Sequence, residues 1–213
     1  MDLEKYINAI KPLKPMNQGF MYNTKVYYQL PAERKDLLSD YEGKELKRGD
    51  IVSAYKSYFN GNGKYINAFL LTMIWGFGDT GYGAFRTNNL ISTAENLQLI
   101  KRGIDLAKED NLEIAFQSLM KIKGLGISYA TKVLYFATRA AHKQEYALIF
   151  DNRVAQSLVR LYANNEIAAI LNVSPSSKFE DYQHYIRLIH RLAKQHGVEA
   201  DAIELFLFEQ KFT

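Results

Sequence analysis

Residues 123–132 read Lys-Gly-Leu-Gly-Ile-Ser-Tyr-Ala-Thr-Lys (KGLGISYATK), with two glycines one residue apart between segments that otherwise read as helix. Upstream, NLEIAFQSLMKIK places apolar residues at helical spacing, and downstream ISYATKVLYFATRAA does the same. Gly124 and Gly126 permit positive φ and leave their backbone N–H groups uncovered by side chains. The second helix begins at once, so its free N–H groups and the positive end of its dipole point one way. That geometry suits an anion, a phosphate above all. Two helices joined by a tight hairpin therefore stand at the centre of the chain.

Outward from the hairpin the helical pattern continues. Asp50 can cap IVSAYKSYF, KYINAFLLTMIW comes next at helical spacing, and Ser92 or Thr93 can cap TAENLQLIKRGIDLAKED. Asp151 opens NRVAQSLVRLYA, Ser176 or Ser177 can cap FEDYQHYIRLIHRLAKQHG, and ADAIELFLFEQ closes the series. Only YNTKVYYQL and EYALIF read as strand-like, so the expectation is an all-α chain of about eight to ten helices. Residues 33–50, with six acidic and five basic side chains, read as an exposed connection. Gly76-Phe-Gly-Asp-Thr-Gly81 matches a dinucleotide-binding pattern, but no strand precedes it and no apolar helix comes after it, so no cofactor is expected there. WGFGDTGYGAFRTNN then reads as an interhelical loop, either plain or a glycine- and aromatic-rich recognition surface.

The 213 residues carry 47% hydrophobic content, 15 Tyr and 12 Phe, enough for one large domain or two compact lobes. Cysteine is absent, which excludes disulfides, thiolate metal sites, Fe–S clusters and a cysteine nucleophile. The first residues show no signal-peptide pattern, and AFLLTMIWGFG is too short to span a bilayer, so a soluble, cytoplasmic protein is expected. The net charge of +4 is uneven: residues 121–160 hold seven Lys or Arg against two acidic residues. The 20 basic and 21 acidic residues elsewhere nearly cancel. A basic stripe around the hairpin implies a phosphate-bearing partner.

The pattern apolar-Lys-Gly-Leu-Gly-x-x-x-Ala, with small Ala130 where two helices approach, is the helix–hairpin–helix signature, a sequence-independent grip on a DNA backbone. A purely structural αα-hairpin shares much of it. The continuation of the chain is more specific: EYALIF, then Asp151-Asn-Arg-Val154 opening another helix. Over residues 112–162 the chain resembles the helix–hairpin–helix DNA glycosylase superfamily, nearest to the 8-oxoguanine-glycosylase-like proteins. TNNL (Thr87–Leu90) resembles the Asn-rich plug that fills the gap left by an extruded base. The resemblance implies a two-lobed all-α fold, with residues 47–146 as the lobe carrying the hairpin and residues 1–46 and 147–213 as the second. It implies a monomer acting on double-stranded DNA that contains a damaged or modified base.

Such an enzyme flips a nucleotide and cleaves its N-glycosidic bond through an oxocarbenium-like transition state. Asp151 suits the stabilising carboxylate, and it suits a plain N-cap equally well by position. The family's bifunctional members carry a lysine two residues past the second hairpin glycine, where this chain has Ser128. Lys132 lies one turn on, either at the base pocket or facing phosphate and solvent. Asp151-assisted attack by water is thus the expected mechanism, with lyase chemistry through Lys132 open. Gly124, Gly126, Ser128, Lys123, Arg139, Lys143 and Arg153 are the expected DNA-backbone contacts. Trp75, Phe77, Tyr82, Arg86, Asn88 and Asn89 are the expected base-pocket or wedge residues. No metal or cofactor is expected to be required, although by resemblance the hairpin carbonyls can hold a monovalent cation. An oxidised purine such as 8-oxoguanine is the substrate the resemblance implies. Hypermodified phage DNA bases, a non-catalytic helix–hairpin–helix DNA-binding protein, and a helical module for acidic protein partners are the alternatives.

Overall fold

The computed structural model describes residues 3–23, 25, 30, 36–78, 80, 82–162 and 173–210. Among these the fold is all-α, with β-structure confined to one antiparallel ladder of β1 (Gly19–Met21) on β2 (Glu45–Lys47). The α-helices are α1 (Ile7–Ile10), α2 (Arg48–Phe59), α3 (Tyr65–Phe77), α4 (Gly83–Leu90), α5 (Ala94–Lys108), α6 (Leu112–Met120), α7 (Ile127–Ala140), α8 (Asn152–Tyr162), α9 (Phe179–His196) and α10 (Ala200–Glu209).

Helix α7 is the hub: α2, α3, α5 and α6 all pack on it. Ten of its fourteen residues are buried, so a polar side chain on it must find a partner inside the protein. Helices α8 and α9 both pack on α10, and α1 joins them through α10, with Tyr6 5.2 Å from Phe206. The hairpin between α6 and α7 is pinned from inside by Ile122 and Leu125, both nearly fully buried. Gly124 takes φ +92°, which an L-residue adopts only with strain. Gly126 differs from expectation. It is an extended N-cap at φ −69°, and a Cβ there would meet nothing, so neither backbone conformation nor packing requires a glycine there.

The strand-like EYALIF is not a strand. Tyr146–Phe150 run buried and without a β-partner, and each has one backbone group bonded to a side chain from α7 or α9. Thr138 Oγ1 accepts from Ala147 N (2.9 Å) and Thr131 Oγ1 from Phe150 N (3.1 Å). Tyr182 donates to Leu148 O (2.8 Å), Tyr185 to Ile149 O (2.9 Å), and His190 Nε2 lies 2.8 Å from Tyr146 O. These bonds do the work of a ladder for a lone buried segment. They also fix where the next residue, Asp151, emerges.

Two further expectations change. YGAFRTNN, read as loop, contains α4: Gly83, Ala84, Thr87 and Leu90 are buried, and Thr87 Oγ1 donates to Gly83 O. Burial against α3 overrides the poor helix propensity. Residues 33–50, read as an exposed connection, fold from Asp36 onward into a 3₁₀ helix, β2 and the start of α2, with Leu38, Leu46 and Arg48 buried. Most of YNTKVYYQL and residues 33–35 lie outside the described residues. Among the described residues no helix is long and apolar enough to cross a membrane.

Candidate active site

A cleft of about 170 Å³ opens where six parts of the chain meet. Gln18, Gly19 and Phe20 come from the start of β1, Arg48 from α2, and Trp75 and Gly76 from α3. Lys132 comes from α7, Ile149 and Asp151 from the end of the extended stretch, and Glu204 and Phe208 from α10. The walls are aromatic and aliphatic, with two acids and two bases set among them.

Asp151 caps α8: its Oδ1 accepts from Val154 N (3.1 Å), leaving Oδ2 turned to Lys132 Nζ at 3.7 Å. Capping and aiming are thus one arrangement. The Lys132 side chain is 8% exposed and that of Asp151 13%. Lys132 Nζ also donates to Ser128 O one turn back (3.2 Å) and lies 5.2 Å from the Tyr129 ring. Burial pushes the Lys132 ammonium below the usual lysine value of 10.5, with Asp151 and Glu204 opposing that shift and Arg48 adding to it. Gly76 makes room for this lysine. A Cβ at Gly76 would sit 3.1 Å from Lys132 Cδ and 3.0 Å from Tyr129 Cε1. The glycine that looked like part of a nucleotide motif therefore serves helix packing beside an amine.

The floor of the cleft is an ion pair. Arg48 Nη1 lies 2.6 Å from Glu204 Oε2 and Nη2 3.2 Å from Oε1, both side chains buried. The guanidinium sits 5.1 Å from the Trp75 ring and 5.2 Å from that of Tyr135. Trp75 Nε1 donates to Gln18 O (3.3 Å), tying α3 to the turn before β1.

The structure brings only Trp75, Lys132 and Asp151 of the expected site residues into the cleft wall. Arg153 stands at its edge, exposed, 5.1 Å from the ring of Phe208. Phe77 is buried against Tyr129 (4.4 Å between rings), and Arg86 lies over Phe77 at 6.0 Å. Tyr82, Arg86 and Asn89 are exposed along one face of α4 with Phe85, and Asn88 is partly buried. Lys123, Gly124 and Gly126 are exposed at the hairpin, while Ser128 contributes its carbonyl to Lys132. The Gly126 carbonyl accepts from Tyr129 N and Ala130 N, and that of Ile122 from Leu125 N. Arg139 is turned inward to Asp201 (3.3 Å), Glu199 (3.6 Å) and the Tyr146 ring (4.3 Å), and Lys143 pairs with Asp110 (3.0 Å).

Gln18, Phe20, Arg48, Glu204 and Phe208 escaped the sequence reading. A lone acid inside the apolar run IELFLF was a legible signal, because an unpaired carboxylate is rarely buried. Arg48 carried no such mark. Among the described residues no group of three or more His, Asp or Glu converges to hold a metal ion.

A family model described as "Putative 8-oxoguanine DNA glycosylase OGG-like protein" matches residues 14–208, nearly the whole chain, and the chain belongs to that family. No curated protein and no solved structure matches it.

Proposed function

We propose that this member of the OGG-like family is a DNA glycosylase that receives a damaged or modified base in the cleft and cleaves its N-glycosidic bond, with Lys132 as nucleophile and Asp151 as its carboxylate partner. The observation that carries this reading is the 3.7 Å approach of Lys132 Nζ to Asp151 Oδ2, both largely buried in one aromatic-walled cleft. Burial favours the neutral amine, the form able to attack, and Asp151 stands where it can take the ammonium's proton. The Nζ–C1′ bond forms as the C1′–N bond breaks. The electron pair leaves with the base, which takes a proton; the C1′–O4′ bond then opens, O4′ taking a proton as the amine loses one, to give the protonated imine that borohydride reduces. Once the ammonium's proton has passed on to solvent, the Asp151 carboxylate opposes the positive charge that develops on the sugar. This geometry favours the amine over the water attack expected from Ser128.

A cavity of about 150 Å³ suffices for benzene, and this cleft of about 170 Å³ opens further to solvent. A flipped base fits it in scale, stacking on Trp75, Phe20 or Phe208. An oxidised purine remains the substrate proposed from the family. Duplex DNA is gripped at the open N-terminus of α7 beside Lys123, with Arg153 and Arg86 as further phosphate contacts. Tyr82 and Phe85, 77% and 54% exposed on α4, supply aromatic surface for the gap in the stack. Arg139 and Lys143, engaged with acidic partners, are left out of this path. We assign the grip to residues 47–146, the second lobe to residues 1–46 and 147–213, and the working form to a monomer.

The test offers duplexes carrying 8-oxoguanine and other modified bases to wild type, Lys132→Ala and Asp151→Asn, reading free base and borohydride-trapped adduct. Wild type releases base and forms an adduct; Lys132→Ala forms none; Asp151→Asn is slower by about 100-fold or more. Base release without any adduct returns the mechanism to water attack. No release from any duplex ends the glycosylase reading.

A further inference from the structure

The cleft holds more charge than the Lys132–Asp151 pair requires. Arg48 and Glu204 stand in the same wall, with side chains 1% and 0% exposed and a bidentate contact between them. Stability does not demand such a pair, because well-packed apolar residues in place of a buried ion pair are often neutral or stabilising. Nor is the pair fully satisfied: Arg48 Nε has no hydrogen-bond partner among the described residues. Its place beside the reactive amine is the informative fact.

Few other ionisable groups reach Lys132. Asp151 approaches from ahead of α8, Glu204 from α10 and Arg48 from α2, and Tyr129 is on its own helix. The buried faces of α3, α5 and α6, which pack on α7, carry no group that titrates near neutrality. Arg48 keeps its charge at every accessible pH. Left alone, it would leave the cleft cationic, opposing both the Lys132 ammonium and the positive charge that grows on a sugar in the oxocarbenium-like transition state.

We propose that Glu204 is a charge-balancing residue for Lys132: by cancelling Arg48 it sets the pH at which the amine becomes free, and it keeps the cleft tolerant of a cationic transition state. Acting through Lys132 and the field of the cleft, Glu204 and Arg48 are positioning residues. The inference rests on the glycosylase reading for its consequence and on the cleft geometry for its cause. Removing Glu204 alone therefore has two opposed effects. More free amine is present at a given pH, yet the plateau rate falls. A residue that merely holds the fold together produces neither.

The experiment titrates Lys132 in protein labelled with ¹³C at lysine Cε, the signal assigned by its loss in Lys132→Met, and measures the plateau rate of borohydride-trapped adduct under single turnover. Wild type, Glu204→Gln and Arg48→Met/Glu204→Gln are compared, in sucrose so that the weakened variant stays folded. In Glu204→Gln the midpoint falls by about one unit and the plateau rate by about tenfold. The double variant, with both charges gone, returns both toward wild type. An unchanged or raised midpoint in Glu204→Gln overturns the proposal, whatever happens to thermal stability. The titration needs no DNA, so absence of adduct in wild type defeats the lysine-nucleophile mechanism while the midpoints still decide the role of Glu204.

Discussion

Lys132 sits where an ammonium is poorly solvated, on a helix buried nearly all round. Its pKa lies below 10.5, burial being the main cause. Between that lowered value and the ordinary lysine value the unfolded chain binds more protons than the folded one, so the contribution of this group makes stability rise with pH across that window. Below the folded value the penalty is complete and changes no further. Under the proposed mechanism activity carries the same sign, since there only the neutral amine attacks. The expected outcome is an adduct-formation rate that climbs with pH to a plateau, its midpoint below the usual lysine value. Lys132→Arg, which keeps the charge and cannot release it near neutrality, lacks that limb and forms no adduct. A wild-type profile that stays flat with pH counts against amine chemistry.

At the level of elements, the extended stretch Tyr146–Phe150 connects two helices and aims the proposed catalytic carboxylate. A β-ladder would have satisfied its backbone with another strand, whereas Thr131, Thr138, Tyr182 and Tyr185 do so here. Thr131 also donates to Ile127 O on its own helix, so one hydroxyl links α7 to the residue just before Asp151. Thr131→Val keeps the shape and strands the Phe150 N–H in a buried place. The expected cost is about 1–3 kcal/mol, read by urea denaturation. Base release should fall further than this loss of folded protein explains, because Asp151 loses its anchor. Equal stability for variant and wild type would show that the stretch is held by packing alone.

For the whole molecule, the proposed DNA grip and the cleft lie at opposite ends of the first turns of α7. Lys123 and the open N-terminus precede the helix, and Lys132 comes one turn beyond Ser128. In the proposed complex one helix thus sets the distance from the held phosphate to the reacting sugar. Lys123, exposed at the hairpin, is proposed to neutralise one phosphate without reading sequence. Lys123→Ala should weaken binding to every duplex alike and reduce the salt dependence of log K by about one unit. Binding measured across a salt series checks this. A loss confined to duplexes carrying one modified base would instead place Lys123 among the specificity contacts.

What the chain alone determined is what local chemistry controls. A glycine at φ +92°, a second at the N-cap, and apolar residues at helical spacing define the hairpin within a few residues of backbone. Asp151 was legible for the same reason, as an acid at a helix start with N–H groups within its own reach. Tertiary structure decided the rest. Whether YGAFRTNN coils or forms α4 depends on the surface that buries Gly83 and Ala84. Whether Lys132 meets solvent or a carboxylate depends on four helices closing around α7. Arg48 and Glu204, 156 residues apart, pair because folding puts two charges in one dry place, where each is tolerable only beside the other. No local pattern encodes that distance, and so the half of the cleft that balances its charge could be read only once the chain was folded.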